Sequence, residues 1–253
     1  MIITFLGTGT SQGVPVIACN CEVCKSIDFR DKRLRTSVHI NTQDTSIIID
    51  TGPDFRQQVL RERIGKLDAV LYTHAHKDHT AGMDDIRGFN FKQKRDMPIY
   101  GRLAVLDQIK KEFAYVFSDH KYPGIPAITP NVIENRPFKI NRVVITPIEV
   151  LHYKLTVFGF RVGDFTYITD AKYIDEEEKE KIKGSKVLVL NALQIKPHIS
   201  HFNLEEAVAM VEQLKPDKAY FVHISHKLGL HKTIIESLPP HIELAYDGLR
   251  LEM

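Results

Sequence analysis

The residues best equipped for chemistry lie in one block, T-H-A-H-K-D-H, residues 73–79. Imidazole and carboxylate are ligands for zinc, manganese and iron. Alternate positions of an extended segment share a face, so His74 and His76 point the same way while Ala75 points away. The block follows an apolar run, Leu67–Tyr72, that reads as a buried strand. Asp78 and His79 come where the chain turns into its next element. A histidine-rich exposed turn is the plain alternative, but the position at a strand end and the presence of distant partners weigh against it.

Three such partners sit at or beside expected strand ends. His152 lies in the L-H-Y-K loop, Asp170 just past Ile168, and His223 opens H-I-S-H after Ala219–Val222. A lone histidine at such a place is more often structural; several at strand ends, beside a block already rich in ligands, change that weighing. A second group is Cys19, Cys21 and Cys24 in C-N-C-E-V-C. Three thiols this close, in a reducing compartment, read as metal ligands rather than disulfide partners. A tetrahedral zinc needs a fourth ligand, and His226, three residues after His223, could supply it. Asp50 in D-T-G-P-D reads equally as a carboxylate orienting a ligand or as a turn residue. The G-T-G-T-S-Q-G loop at 7–13 could offer amides to an anion, but a tight turn explains it as well.

The elements that must position these residues follow from pattern. Ile2–Leu6, Thr36–Ile40, Ser46–Ile49 and Pro98–Tyr100 read as strands, as do Val143–Ile148, Thr156–Val162, Phe165–Ile168, Val187–Leu190 and Ala219–Val222. Gly163-Asp164 marks a hairpin. Asp54 with Gln57 predicts a capped helix with Phe55, Val59 and Leu60 buried. Met83–Phe91 reads as a short helix and loop. Leu103, Leu106, Ile109, Phe113 and Val116 predict one long amphipathic helix. Residues 118–136, with Pro123, Pro126 and Pro130, read as an irregular connection. Asp175 with Glu176–Glu178 opens a charged, solvated helix, and Asn203 with Glu206 a capping box. His231–Leu238 predicts a last helix and Glu243–Leu251 a closing hairpin. Twice, strands come in a meander and helices follow. The fold expected is α/β (α+β), a four-layer sandwich with two sheets between helical layers, in one domain, 1–253, built of two strand-rich halves, about 1–130 and 131–253.

The 253 residues, 43% of them hydrophobic, suffice for a sizeable core. Lys+Arg 34 against Asp+Glu 32 leaves a net charge of +2, and no long basic run occurs, so nucleic acid is not an expected partner. No apolar run approaches membrane-spanning length and the N-terminus lacks a signal-peptide pattern. The chain is therefore expected to be soluble and cytoplasmic, without a membrane partner.

The H-x-H-x-D-H pattern, with Gly82 three residues on, resembles the signature of the metallo-β-lactamase superfamily, whose fold is the αββα sandwich. With C-x-C-x-x-C, the terminal H-I-S-H, G-T-G near the start, K-L-T after His152 and D-G near the end, the likeness sharpens to the phosphoribosyl 1,2-cyclic phosphate phosphodiesterases of the carbon–phosphorus lyase pathway. It covers nearly the whole chain. The resemblance implies two catalytic divalent metals, zinc or manganese: His74, His76 and His152 on the first, Asp78, His79 and His223 on the second, Asp170 bridging. It implies that His201 serves as general acid, a role its pKa class permits. With the Cys19, Cys21, Cys24 and His226 group, one structural zinc is also expected.

The function expected is hydrolysis of a small, cyclic phosphodiester. Two ions roughly 3.5–4 Å apart lower the pKa of a shared water and stabilise oxyanion charge. The alternatives are a tRNA 3′-end-type RNA phosphodiesterase, for which no basic arm is visible, a β-lactam or thioester hydrolase, and a metal-binding module without catalysis. The partner expected is a small-molecule phosphodiester; a homodimer is left open.

Overall fold

In a computed structural model the chain is described for residues 1–118 and 122–253. The chain begins with β1 (Ile2–Gly7) and a short helix α1 (Glu22–Lys25) in the cysteine segment. It continues through β2 (Ser37–Asn41), β3 (Ser46–Ile49), α2 (Phe55–Arg61), β4 (Ala69–Leu71), α3 (Lys77–Thr80), α4 (Arg87–Gln93), β5 (Met97–Gly101), α5 (Leu103–Glu112), α6 (Ala114–Phe117) and β6 (Ile128–Val132). The second run comprises β7 (Phe138–Ile140), β8 (Val143–His152), β9 (Leu155–Val162), β10 (Phe165–Tyr167), β11 (Tyr173–Ile174), α7 (Glu176–Ile182), β12 (Val187–Asn191), α8 (Leu204–Leu214), β13 (Lys218–Val222), α9 (His231–Ile235), β14 (Ile242–Leu244) and β15 (Arg250–Glu252).

One sheet runs β15-β1-β2-β3-β4-β5-β6 and the other β11-β8-β9-β10-β12-β13-β14, with β7 beside β8. Side-chain alternation divides the strand residues between layers. Ile47 and Ile49 face Phe158, Phe160 and Tyr167 of the opposite sheet, while Ile48 between them packs with Phe55, Leu106 and Ile109 on the helical side. In the other half Leu188, Leu190 and Phe221 meet Ala207, Val211 and Leu214 of α8. Strands buried on both faces read as continuous apolar runs rather than alternating ones. The result is the expected α/β four-layer αββα sandwich, the metallo-β-lactamase fold.

Several local expectations are corrected. The predicted long helix breaks at Phe113 (φ −114°, ψ 42°) into α5 and α6, and Leu103 points to solvent, 55% exposed. The connection at 118–136 is not irregular throughout: β6 pairs in parallel with β5, and Pro130 is accommodated because this is the sheet edge; residues 119–121 lie outside the described residues. The predicted side-chain cap of α2 is absent, because Asp54 makes no side-chain cap bond and instead receives Arg35 through its amide and guanidinium. Leu60 is 60% exposed, so the buried stripe of α2 is narrower than its apolar residues suggest. On α7, Glu178 and Lys179 are buried rather than solvated; Glu178 accepts from the Glu149 amide and from Lys181. Residues 243–251 form no hairpin: β14 joins β13 in one sheet and β15 joins β1 in the other. Asp247 anchors that crossing, accepting from Thr8 Oγ1 and the Leu34 amide. The box at Asn203 and Glu206 forms as read.

Candidate metal centre

The functional side chains leave the sandwich at strand ends. β3, β4 and β5 run parallel, as do β10, β12, β13 and β14, and in such sheets the carboxyl ends open into a crevice suited to ligands. β4 delivers Thr73–His76, and α3 begins at Lys77 with extended His76 as its cap (φ −64°, ψ 149°). β3 delivers Asp50, β10 leads to Asp170 and β13 to His223. His152 is the last residue of β8, not a loop residue. Asp50, Asp170 and His223 all adopt positive φ, at 64°, 57° and 55°. Left-handed backbone at non-glycine positions is costly and clusters at functional sites.

Glycine lets the histidine block pack closely. A Cβ on Gly82 would stand 2.2 Å from the Gly52 carbonyl, and one on Gly52 would stand 2.2 Å from that of Asp78. The Thr51 amide donates to the His79 carbonyl and the Gly82 amide to that of Thr51. The motif glycine is thus a steric requirement of the contact between the 50–54 turn and α3.

The structure brings the predicted residues together. Ligand atoms of His74, His76 and His152 lie within 4.8 Å of one another, as do those of Asp78, His79 and His223. Asp170 joins His74 and His79 in a third group, and His152 and His201 in a fourth. His223 Nε2 lies 3.1 Å from Asp170 Oδ1, and His79 Nε2 lies 3.3 Å from Asp170 Oδ2 and 3.2 Å from Asp78 Oδ2. The His201 ring is 4.8 Å from that of His223 and 4.4 Å from that of His152, with its Nδ1 3.8 Å from Asp170 Oδ1.

The donor set fits divalent cations. Among the described residues, His79 Nε2, His201 Nδ1 and both ring nitrogens of His223 are buried without a partner in hydrogen-bonding geometry, and buried polar atoms are rarely left so. Burial works against a charged His79, yet Asp170, Asp78 and Asp50 outweigh it and push its pKa well up. The carboxylates therefore demand positive charge at the centre of the cluster. Burial opposes the charge on Asp170 too, but His223 and His79 hold its carboxyl well below the usual range. Burial, followed by His79, keeps His74 neutral, the form that coordinates metal.

A further layer fixes the rings. Asp50 Oδ2 lies 2.7 Å from His79 Nδ1, and Asp50 also accepts from the Thr73 amide and hydroxyl at 2.9 and 2.8 Å. Of the two readings of Asp50, the orienting one agrees with this geometry. His152 Nδ1 donates to the Ser200 carbonyl at 2.8 Å, leaving Nε2 as the free lone pair. Thr169 Oγ1 donates to Asp170 Oδ2. Thr73, Thr169 and Ser200 carry no sequence signal that separates them from ordinary loop residues.

The cysteine segment closes separately. Cys19, Cys21 and Cys24 place Sγ at 3.2, 3.4 and 3.5 Å from His226 Nδ1. The Cys24 amide, His226 and the neighbouring thiols outweigh slight burial and lower the Cys21 pKa to about 6, whereas burial pushes Cys24 up to about 11. Amides of Val16 and Cys24 point at the sulfurs. Four convergent donors with amides aimed at sulfur suit a tetrahedral zinc. The glycine loop is a structural turn: its amides at Gly9, Thr10 and Gly13 are consumed by Leu34, Ile224 and Thr10 carbonyls.

Histidine and aspartate gathered at the strand ends of a two-sheet sandwich are the arrangement expected of the β-lactamase class of fold. The chain belongs to the metallo-β-lactamase superfamily: the family described as "Beta-lactamase superfamily domain" matches residues 45–224. Over 247 residues it is 41% identical to a protein of Porphyromonas gingivalis named octanoyltransferase, covering 96% of this chain and 50% of that one. It is 28% identical to ribonuclease Z of Nostoc sp., over 65% of this chain and 47% of that one. The chain thus spans about half the length of these curated relatives. A solved structure described as a new diphosphatase from the PhnP family superposes with a TM-score of 0.94 at 37% identity, covering 100% of this chain and 97% of that one.

Proposed function

We propose that the protein is a dinuclear metal-dependent hydrolase of small, cyclic phosphodiesters. The observation that carries this reading is the convergence of seven side chains, with buried imidazole nitrogens left without hydrogen-bond partners. His74, His76 and His152 would hold one ion, Asp78, His79 and His223 the other, and Asp170 both, its two oxygens suiting a bridge. Zinc or manganese ions there would supply a nucleophile from water at neutral pH and neutralise charge on phosphorus. Cys19, Cys21, Cys24 and His226 would hold a third, structural zinc that ties the N-terminal segment to the loop after β13.

His201 would protonate the leaving oxygen. Burial, with His223 next, lowers its pKa to about 3, so it rests neutral. An anionic ester beside it is what would make it an acid. Asp170 Oδ1 stands 3.8 Å from His201 Nδ1, beyond hydrogen-bond length. The likeness to the PhnP-family structure and to ribonuclease Z supports phosphoryl chemistry. The match to the octanoyltransferase spans half of that protein, so its name does not say which half carries the transfer. A net charge of +2 and the lack of a basic run favour a small ester over RNA.

The test is turnover of bis(4-nitrophenyl) phosphate by protein whose metal content is measured by elemental analysis. Release of nitrophenolate that disappears with chelator and returns with manganese or zinc is expected. Inert protein with two catalytic ions bound would sink the phosphodiesterase reading and favour thioester hydrolysis or metal binding alone.

A further inference from the structure

The hairpin between β8 and β9 carries a residue its backbone disfavours. His152 pairs with Leu155, so Tyr153 and Lys154 alone form the turn. Two-residue turns of this kind call for glycine or asparagine at positive φ, yet Tyr153 sits there at φ 57°. A bulky residue in the left-handed region is an outlier that points toward function. Its ring is not buried to compensate: Tyr153 is 53% exposed, and Lys154 Nζ stands 5.4 Å from the ring centroid.

Tyr153 shares a cavity with two residues of the candidate metal cluster. An open cavity of about 580 Å³ is lined by Tyr153, Lys154, Leu155 and Ile199 together with His76 and His152 of the metal cluster. Leu155 and Ile199 are 42% and 67% exposed. One wall is therefore imidazole and the rest is mostly aromatic and aliphatic, with one cation and the polar Ser200. An ester whose phosphorus sits at the cluster can lay its non-reacting part here; a second cavity, lined by His74, His76, Arg102, Val105 and Leu155, opens beside the same cluster.

The geometry points to a nucleobase subsite, in which Tyr153 stacks the base of a nucleotide-type phosphoester and Leu155 and Ile199 cover its edge. This rests on the phosphodiesterase reading and names its substrate class. A bare sugar phosphate has no flat apolar face to cover these side chains. An acyl chain needs an enclosing pocket to bury most of its surface, whereas this cavity is open. A planar ring suits it: base–aromatic stacking needs one free face and tolerates different bases.

Binding to the metal-loaded protein tests the assignment by calorimetry, with adenosine 5′-monophosphate, ribose 5-phosphate and octanoate as probes. The nucleotide should bind about tenfold more tightly than the sugar phosphate. Tyr153→Phe should keep that ratio and Tyr153→Ala should bring it close to unity. Tyr153→Gly should also lose it while raising the melting temperature, which separates stacking from backbone strain. Equal binding of the two phosphates by the native protein, an unchanged ratio in Tyr153→Ala, or tighter binding of octanoate would overturn the subsite. Turnover of bis(4-nitrophenyl) phosphate is scored separately. A base preference lost in Tyr153→Ala without turnover keeps the subsite and sinks the reaction, and turnover without base preference does the reverse.

Discussion

Replacing Asp50 by Asn changes one oxygen to an amide and leaves the volume alone, so the effect can be worked from hydrogen bonds. Asp50 is fully buried. Its Oδ1 accepts from the Thr73 amide at 2.9 Å, and its Oδ2 takes the Thr73 hydroxyl at 2.8 Å and His79 Nδ1 at 2.7 Å. A backbone N–H cannot reverse its role, so the Asn carbonyl must take the Oδ1 place. The NH₂ group then faces His79 Nδ1 and donates to it. That bond moves the imidazole proton to Nε2, the atom aimed at Asp78 and Asp170, and blocks it as a ligand. Partners that orient a ligand are worth about 10–100-fold in metal affinity, or about 1.4–2.7 kcal/mol. Titration against a competing chelator measures this directly, and elemental analysis after dialysis should show one catalytic ion depleted before the other. Native affinity in the Asp50→Asn protein would refute the reasoning, because it would mean that Asp50 does not set the His79 tautomer.

Three further outcomes are expected. His201→Ala should lower kcat by about 10²–10⁴ with metal content unchanged; loss of metal would instead make His201 a ligand. Cys21→Ser should remove one zinc equivalent while sparing the catalytic pair, and should lower stability by several kcal/mol, an order-of-magnitude figure, read as a fall in melting temperature. His39 is buried on β2 with Nε2 2.8 Å from Ser46 Oγ, and burial lowers its pKa from 6.5 to about 4. Between those values the folded state binds fewer protons than the unfolded chain, so its contribution is present above pH 6.5 and lost as pH falls toward 4, by about 3 kcal/mol. Denaturant titrations of the native and His39→Gln proteins across that window should differ in slope, and parallel curves would remove His39 from the account.

Sequence alone determined the parts of this protein set by local chemistry. The H-x-H-x-D-H block, the three clustered cysteines and the Asn203–Glu206 cap are short-range facts, since ligand spacing and capping depend on residues a few positions apart. The layered fold was also legible, because strands buried on both faces must be apolar throughout and helices apolar on one side. What only the tertiary structure decided is long-range. Asp50 had two equal readings until β3 and β4 paired and set its carboxylate against His79. Residues 243–251 looked like a hairpin because turn chemistry marks a change of direction but not which sheet receives the next strand. Glu178 looked solvated because charge says nothing of the Glu149 amide that awaits it. Tyr153 carried no signal at all, since a backbone angle and an exposed ring beside a metal cluster exist only once β8 and β9 have closed around them.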